Sequence, residues 1–446
     1  MAWERPVTMQ FFEADGTHEF TVTAGMRILG GISREFPKKS FVVYFRPQYG
    51  NDVLRYPIFS TTDRQRFQSL VLRMGGDDGQ NDSPRMRDPL MHTLWGEVGG
   101  LVSAVRPVFL YLNGKPWGLY HLRERMDVSY LTEHFGHADV DLIRESDDVR
   151  AGDLRHWDAT LDFFRSADLN RAEDLAQARR FVDLDNLADF YFFQIYAGNI
   201  DLVEPNLVKC RPRTEGGRWR WLMWDVDVSF GLTSSSPATH NTLAWFTRDR
   251  ARPDLGFYND DGGDSLWATL MLRRLLGAER TRIDALNRLA DLLNTTLSSA
   301  HVVDLIDEFA AEIGNDIPYD LSVWAHEWEG SFDGWVNEVE ALRDFARQRT
   351  DVVRGHAREQ FGLTDAVLTL DAPLGGRGHL RVNSFEVDEF PWTGRYFQEV
   401  PVTLEAIPAD GLVFDGWNDP AWPQTRVVTV SLGARTRVRA RFTPSP

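Results

Sequence analysis

One cysteine, Cys210, stands in 446 residues, so the chain can form no internal disulfide and no cysteine-based zinc site. Long apolar runs are missing too. No stretch reaches the roughly 20 residues that a membrane-spanning helix needs, and the opening MAWERPVTMQFF lacks the basic-then-apolar pattern of a secretion signal. Positive charge is scarce: 49 Lys and Arg face 66 Asp and Glu, and a formal charge of −17 repels a phosphate backbone. That balance argues against nucleic acid as a partner. Internal repeats and low-complexity linkers are absent. What is present, 43% hydrophobic and 12% aromatic residues, suffices to fill the cores of two or three globular domains.

The texture of the chain changes twice. From VTMQFFEADGTHEFTVTA to SFVVYFRPQYG, and again in PVFLYLNGKPWGLYHLRE, apolar and polar residues alternate around Gly and Asp turns, which predicts antiparallel hairpins. Asn113-Gly114 between two apolar runs is a strong hairpin-turn signal. After about residue 125 apolar residues recur at helical spacing, as in LRHWDATLDFFRSA, DLDNLADFYFFQIYA and WVNEVEALRDFARQRTDVVRGHAREQF. Beyond about residue 363 alternation returns with Gly, Pro and Asp turns. The expected class is α+β: a sheet-rich lobe at about 1–125, a helix-rich lobe at about 126–365, and a small all-β domain at 366–446. One hairpin interrupts the helices, in NLVKCRPRTEGGRWRWLMWDVDVSFG, with Thr214 to Gly217 as its turn.

That hairpin frames the candidate chemistry. The run YFFQIYAGNIDLVEPNLVKC reads as a buried helix ending abruptly in Asn199, Asp201, Glu204, Pro205 and Asn206, and Asp225 and Asp227 follow after the hairpin. Phosphoryl transfer from ATP asks little covalent work of a protein. It needs a carboxylate for the attacking hydroxyl, an amide oxygen and a carboxylate for metal, and a cation on the phosphates. Asp201, Asn206 and Asp225 would fill the first three roles, at the Asp-x-x-x-x-Asn offset of a kinase catalytic loop. For the cation, RILGGISREFPKKSF offers Lys38 or Lys39, of which strand alternation puts one into a cleft, and Gly30, Gly31 and Ser33 could turn backbone amides toward phosphate. Glu124 could orient the lysine or line the nucleotide pocket. The stretch LRMGGDDGQNDSPRMRD, with Arg73, Asp82, Arg85 and Arg87, reads as a charged loop.

In their order, RILGGISREFPKKSF, NDSPRMRD, VFLYLNGKPWGLYHLRERMD, VDLDNLADFYFFQIYAGNIDLVEPNLVKC and WRWLMWDVDVSFG resemble the spore coat protein H (CotH) kinase family over roughly residues 20 to 232. The helices to about 362 would complete that domain. The resemblance implies an atypical protein-kinase-like fold, ATP with Mg2+ (or Mn2+ or Ca2+), and transfer to Ser or Thr of a protein substrate of the spore-coat, surface or secreted kind. It also implies Asp201 as the catalytic Asp, Asp225 as a metal ligand with Asn206 and Asp227 beside it, and Lys38 or Lys39 on the phosphates. The loop departs from the family pattern, with Leu29 in the basic position. The tail, with VTLEAIPADGLVFDGW, resembles small bacterial β-repeat domains of surface and secreted proteins, which points to an extracellular or envelope location. Two other readings stay open: transfer of AMP or another group on the same fold, and a non-catalytic surface adhesin.

Several residues have ordinary explanations. His156 with Asp158, and His326 with Glu327, match no zinc spacing and read as surface or interhelical pairs. Trp324, Trp328 and Trp335 are spaced for packing, GGRGH at 375–379 reads as a β-turn, and Cys210 reads as a small packing residue.

Overall fold

A computed structural model describes residues 3–202, 206–248 and 267–445. By contacts the chain forms two compact units. The first comprises Met1–Leu154, Asn199–Pro237 and Val303–Ala346, and the second comprises Arg155–Gly198, Ala238–Val302 and Arg347–Pro446.

The first unit is built on strands β1 (Arg5–Phe12), β2 (His18–Leu29), β3 (Ser40–Tyr44), the short pair β4 (Leu54–Arg55) and β5 (Arg66–Phe67), β6 (Ser69–Arg73), β7 (Val105–Leu112) and β8 (Lys115–Glu124). Six of them make one antiparallel sheet in the order β1-β2-β3-β6-β8-β7. The β7–β8 turn is the predicted one: Asn113 and Gly114 both take positive φ, 51° and 74°, as a type I′ turn requires.

Strand alternation gives this sheet two different faces. Phe41, Val43, Leu70, Leu72, Tyr120 and Leu122 point to one side and join Ile58, Phe59 and Phe67 in an apolar core. Their neighbours in sequence, Arg73, His121 and Arg123, point to the other. Arg73 lies opposite His121, and Val71 opposite Arg123, so the three polar side chains share that face. Helix α1 (Arg87–Glu97) also belongs to this unit and is buried nearly throughout, including Arg87 and Asp88. Pro84 just before it, Pro89 in its first turn and a charged start disguise it, and the charged loop expected over residues 72–88 runs into its first two residues.

A second sheet of this unit, in the order β10-β9-β11-β12, joins β9 (Val140–Arg144) and β10 (Asp148–Ala151) to the hairpin β11 (Val208–Pro212) and β12 (Arg220–Leu222). The hairpin was predicted; β9 and β10 fall inside the stretch expected to be helical. Helix α2 (Val128–Phe135) precedes them, its N-terminus capped by Asp127, which accepts from the amides of Ser129 and Tyr130.

The second unit holds α3 (Arg155–Ser166), α4 (Ala172–Phe181), α5 (Leu184–Ala197), α6 (Thr242–Thr247), α7 (Trp267–Gly277) and α8 (Glu279–Asn294). Helix α5 is buried along its whole length from Leu187 to Ala197 and stops at Gly198, whose φ of 65° only glycine adopts readily. Helices α9 (Ser299–Ile313) and α11 (Phe332–Phe361) have residues in both units, and α10 (Ile317–Trp324) lies in the first. No described helix is long and apolar enough to cross a membrane.

The C-terminal strands β13 (Asp365–Leu370), β14 (Gly378–Val382), β15 (Phe385–Val387), β16 (Trp392–Phe397), β17 (Val402–Pro408), β18 (Leu412–Trp417), β19 (Val427–Val430), β20 (Arg435–Val438) and β21 (Ala440–Pro444) form small sheets within the second unit. They are riveted to α8 by Asp291, 1% exposed, which accepts from Asn383 Nδ2 (3.1 Å), Ser384 Oγ (2.6 Å) and Tyr396 OH (3.0 Å). Asn294 adds a bond from the Arg395 amide and Arg354 one to the Arg395 carbonyl. A buried hub of this kind is costly to leave half-made. Asp291→Ala should therefore lower the unfolding free energy by about 2–3 kcal/mol, and Tyr396→Phe by about 1 kcal/mol, in urea titrations.

Candidate functional site

Arg73 closes β6 on the polar face of the large sheet, and its Nη2 is shared by two carboxylates: Asp225 Oδ1 at 2.5 Å and Asp227 Oδ1 at 3.0 Å. Asp88, from the first turn of α1, stands 3.9 Å from the same nitrogen, takes a hydrogen bond from Arg123, and accepts from the amide of Val226 at 3.2 Å. It thereby holds the backbone between the two acids. The loop after β6 completes the cradle. The Asp77 amide donates to Asp227 Oδ2 at 2.7 Å, and Gly76, with φ of 65°, passes so close that a Cβ there would lie 2.2 Å from that oxygen. Asp225 itself is in the left-handed region, φ 51°, a strained turn at a non-glycine residue.

Charge at this point is unbalanced. Asp77, Asp88, Asp225 and Asp227 face the two guanidinium groups of Arg73 and Arg123. Burial and then the Asp225 charge push the Asp227 carboxyl well above its ordinary value. Asp88 is the opposite case: burial works to raise it, but Arg123 and Arg73 outweigh that and hold it well below the usual carboxylate range. Burial, reinforced by Arg123, takes His92 and His121 down to about 3, so both rings are neutral at physiological pH.

The second group lies where the buried helix α5 gives way to the polar loop. Asp201 donates its amide to Asn199 Oδ1 at 3.0 Å, and Asn206 Nδ2 donates to both the Asp201 carbonyl (3.1 Å) and Asp201 Oδ2 (2.8 Å). Glu204 and Pro205 lie outside the described residues. The amide's donors are turned to Asp201, which leaves Oδ1 as its acceptor end. Beyond Asn206 the chain runs out along β11, turns with a hydrogen bond from the Gly217 amide to the Thr214 carbonyl (3.0 Å), and returns along β12. The Val208–Leu222 pair ends this ladder, so Asn206 and Asp225 leave it at the same end, two and three residues beyond the pair.

The third group contains the lysine. Lys38 is fully buried, and its Nζ lies 2.6 Å from Asp320 Oδ1 of α10, 282 positions away in sequence. Asp320 also accepts from Arg85 Nε (2.9 Å) and from the Leu119 amide of β8 (2.8 Å). Gly118 permits this approach: its φ is 107°, and a Cβ would stand 2.3 Å from Asp320 Oδ1. Burial pushes the Lys38 ammonium down to about 8 against the pull of Asp320. Asp320 feels burial in the opposite sense, but Lys38 and Arg85 hold its carboxyl below the ordinary value.

The remaining candidates spread out. Lys39 turns outward and donates to the Arg34 carbonyl at 2.6 Å. Gly30 and Gly31 are exposed, with Gly30 at φ 125° over Ser33 Oγ, in a loop whose tip residue Ile32 is 80% exposed. Glu124 is buried and pairs with Arg64 Nη1 at 2.6 Å, so the carboxylate that orients Lys38 is Asp320. His326 and Glu327 are an exposed pair, Trp324 and Trp335 are buried packing residues, and burial pushes the Cys210 thiol up to about 12.

Among the described residues no three His, Cys, Asp or Glu side chains gather at metal-binding spacing. The donor set nevertheless suits a hard divalent cation: Asp225, Asp227 and the Asn206 amide offer oxygen only, and the carboxylates there are in excess. Magnesium in nucleotide sites takes one or two carboxylates and completes its shell with phosphates and water.

A family model described as CotH kinase protein matches residues 26–353, well over half of the 446. The chain belongs to the CotH kinase family. No curated protein matches it. The matched span contains all three groups, and membership makes the chain a kinase-like phosphotransferase.

Sequence reasoning passed over Asp320 and Asp88. Asp88 follows Arg87 in a stretch read as loop, and nothing local ties Asp320 to a lysine near the N-terminus. The Asp320 assignment predicts that Asp320→Ala, which strands Lys38 and Arg85 without their carboxylate, lowers stability by about 3–5 kcal/mol in urea titrations.

Proposed function

We propose that the chain is an ATP-dependent protein kinase that phosphorylates Ser or Thr hydroxyls, working in the cell envelope or outside the cell. One observation carries the reading: the β11–β12 hairpin sends the hydrogen-bonded pair Asp201–Asn206 and the strained, Arg73-bound Asp225 from the same end of one ladder. A pure binding surface has no need of an acid, an amide and a second acid gathered in that way.

In this reading Lys38, aligned by Asp320, neutralises phosphate oxygens. Asp201 orients the acceptor hydroxyl and takes its proton as the oxygen attacks the γ-phosphorus and the bond from that phosphorus to the bridging oxygen breaks, releasing ADP. Asn206, Asp225 and Asp227 would hold the divalent cation, which supplies charge neutralisation on the phosphates. Arg73 keeps the two aspartates together and stands in as their cation until one binds. The exposed Gly30–Gly31–Ser33 loop would offer backbone amides to the phosphates, and the location rests on the likeness of the tail to surface-protein domains.

Incubation with ATP and magnesium or manganese, followed by intact-mass analysis, tests the reaction. A phosphoryl adduct on the chain or on a protein acceptor is expected, and an adenylyl adduct would replace the kinase reading with AMP transfer. Asp225→Ala should abolish metal–nucleotide binding by calorimetry. Asp201→Asn should leave that binding within about threefold and lower turnover by about 100-fold or more. Nucleotide binding that survives Asp225→Ala and still needs metal would sink the assignment.

The raised Asp227 carboxyl adds a pH signature. Between 3.8 and its raised value the folded chain binds more protons than the unfolded chain, so stability held at low pH declines as pH climbs through that window. A cation arriving at Asp227 displaces the proton. Metal–nucleotide binding should thus strengthen as pH rises through the same window and release protons, read as a binding enthalpy that changes with the ionisation enthalpy of the buffer.

A further inference from the structure

Arg349, fully buried in α11, spends its guanidinium on the backbone at two points of the chain. Its Nε donates to the Tyr196 carbonyl (2.7 Å) and Nη2 to the Ile195 carbonyl (2.6 Å), at the C-terminal end of α5. Its Nη1 donates to the carbonyls of Ala238 (2.6 Å) and His240 (2.7 Å), and Nη2 also donates to Thr242 Oγ1 (2.9 Å) at the start of α6. The last carbonyls of a helix have no partner within it, and a cation there also complements the helix dipole. Arg349 satisfies both needs, yet a cap alone would require neither Ala238 nor His240. Burial pushes the guanidinium down to about 10, so the group is held at a cost in solvation.

Between these two anchorages the chain makes one excursion, residues 199–237, and that excursion carries Asp201, Asn206, Asp225 and Asp227. We infer that Arg349 is a positioning residue for phosphoryl transfer, a clamp on the two stems of the catalytic segment that fixes Asp201 through the end of α5. The inference rests on the catalytic assignment of Asp201 above. The two ends of the segment are not equally dependent on the clamp. Asp201 comes five residues after Tyr196, with Gly198 between them, whereas Asp225 lies thirteen residues before Ala238 and is independently held by Arg73 and by the β11–β12 ladder. Loss of the clamp should therefore be felt in turnover and spare metal–nucleotide binding.

Arg349→Lys keeps the charge and loses the planar fork that reaches both stems. It should lower kcat by about 10- to 100-fold while the Kd for ATP with magnesium moves less than about threefold. Added to Asp201→Asn, it should have no further effect on residual turnover, because both changes act at one point. Parallel loss of nucleotide affinity and kcat, or full additivity with Asp201→Asn, would overturn the clamp. Thr242→Val, which removes a single acceptor, covers the case in which Arg349→Lys does not fold, and should lower kcat by about threefold with Kd unchanged. Hydrogen exchange separates this inference from the catalytic assignment. Amides of residues 199–202 should exchange about tenfold faster in the variant whatever the activity. Faster exchange there with an Asp201→Asn enzyme of normal turnover would remove the catalytic role of Asp201 and leave the clamp standing; unchanged exchange would remove the clamp.

Discussion

The guanidinium of Arg73 is the point on which the site turns. Two aspartates two residues apart would repel each other on this buried face, and one nitrogen of Arg73 draws both within 3.0 Å. Arg73 can do this because β6 and β8 alternate: the residues that fill the apolar core leave their neighbours on the opposite face, where Arg73, His121 and Arg123 stand together. Asp88 then holds the backbone amide just before Asp227, and the glycine-lined loop after β6 holds the Asp227 carboxylate itself. The arrangement remains over-supplied with negative charge, a surplus that a metal–nucleotide complex would neutralise in the function proposed above.

Buried cations recur in this chain as organisers of distant segments. Lys38 and Arg85 converge on Asp320, joining the loop before β3, the loop before α1 and α10 to the edge of β8. Arg349 does the equivalent with carbonyl groups. Each such group is expensive to bury and costly to leave without its partners, so each specifies one arrangement of the chain rather than merely adding to stability. With one cysteine and no metal staple among the described residues, polar hubs of this kind, including Asp291 under the C-terminal strands, tie loops and strands to a core that hydrophobic packing alone would hold less specifically.

Much of this was readable in advance where a local rule operates. Asn113-Gly114 dictates its turn because both residues tolerate positive φ, and α5 is bounded by Asp183 and Gly198. The 208–222 hairpin follows from alternation around Thr214–Gly217. Where local signals conflict, tertiary context prevailed. Helix α1 begins in Arg87-Asp88-Pro89 and carries no polar face, because it is buried all round, so its periodicity is weak. Strands β9 and β10 are short and charged, and exist because β11 lies alongside to pair with β9.

The sequence by itself determined the α+β class, the kinase-like family and the residues Asp201, Asn206, Asp225 and Asp227 around one hairpin, because those depend on spacing along the chain. Between Lys38 and Lys39 it could say only that one faces inward. Tertiary structure decided that this is Lys38, that its carboxylate is Asp320 rather than Glu124, and that Arg73 unites the two aspartates. The reason is physical. An ion pair between residues 282 positions apart leaves no pattern in the chain, since only the packing of α10 against β8 brings its two halves into the same dry space.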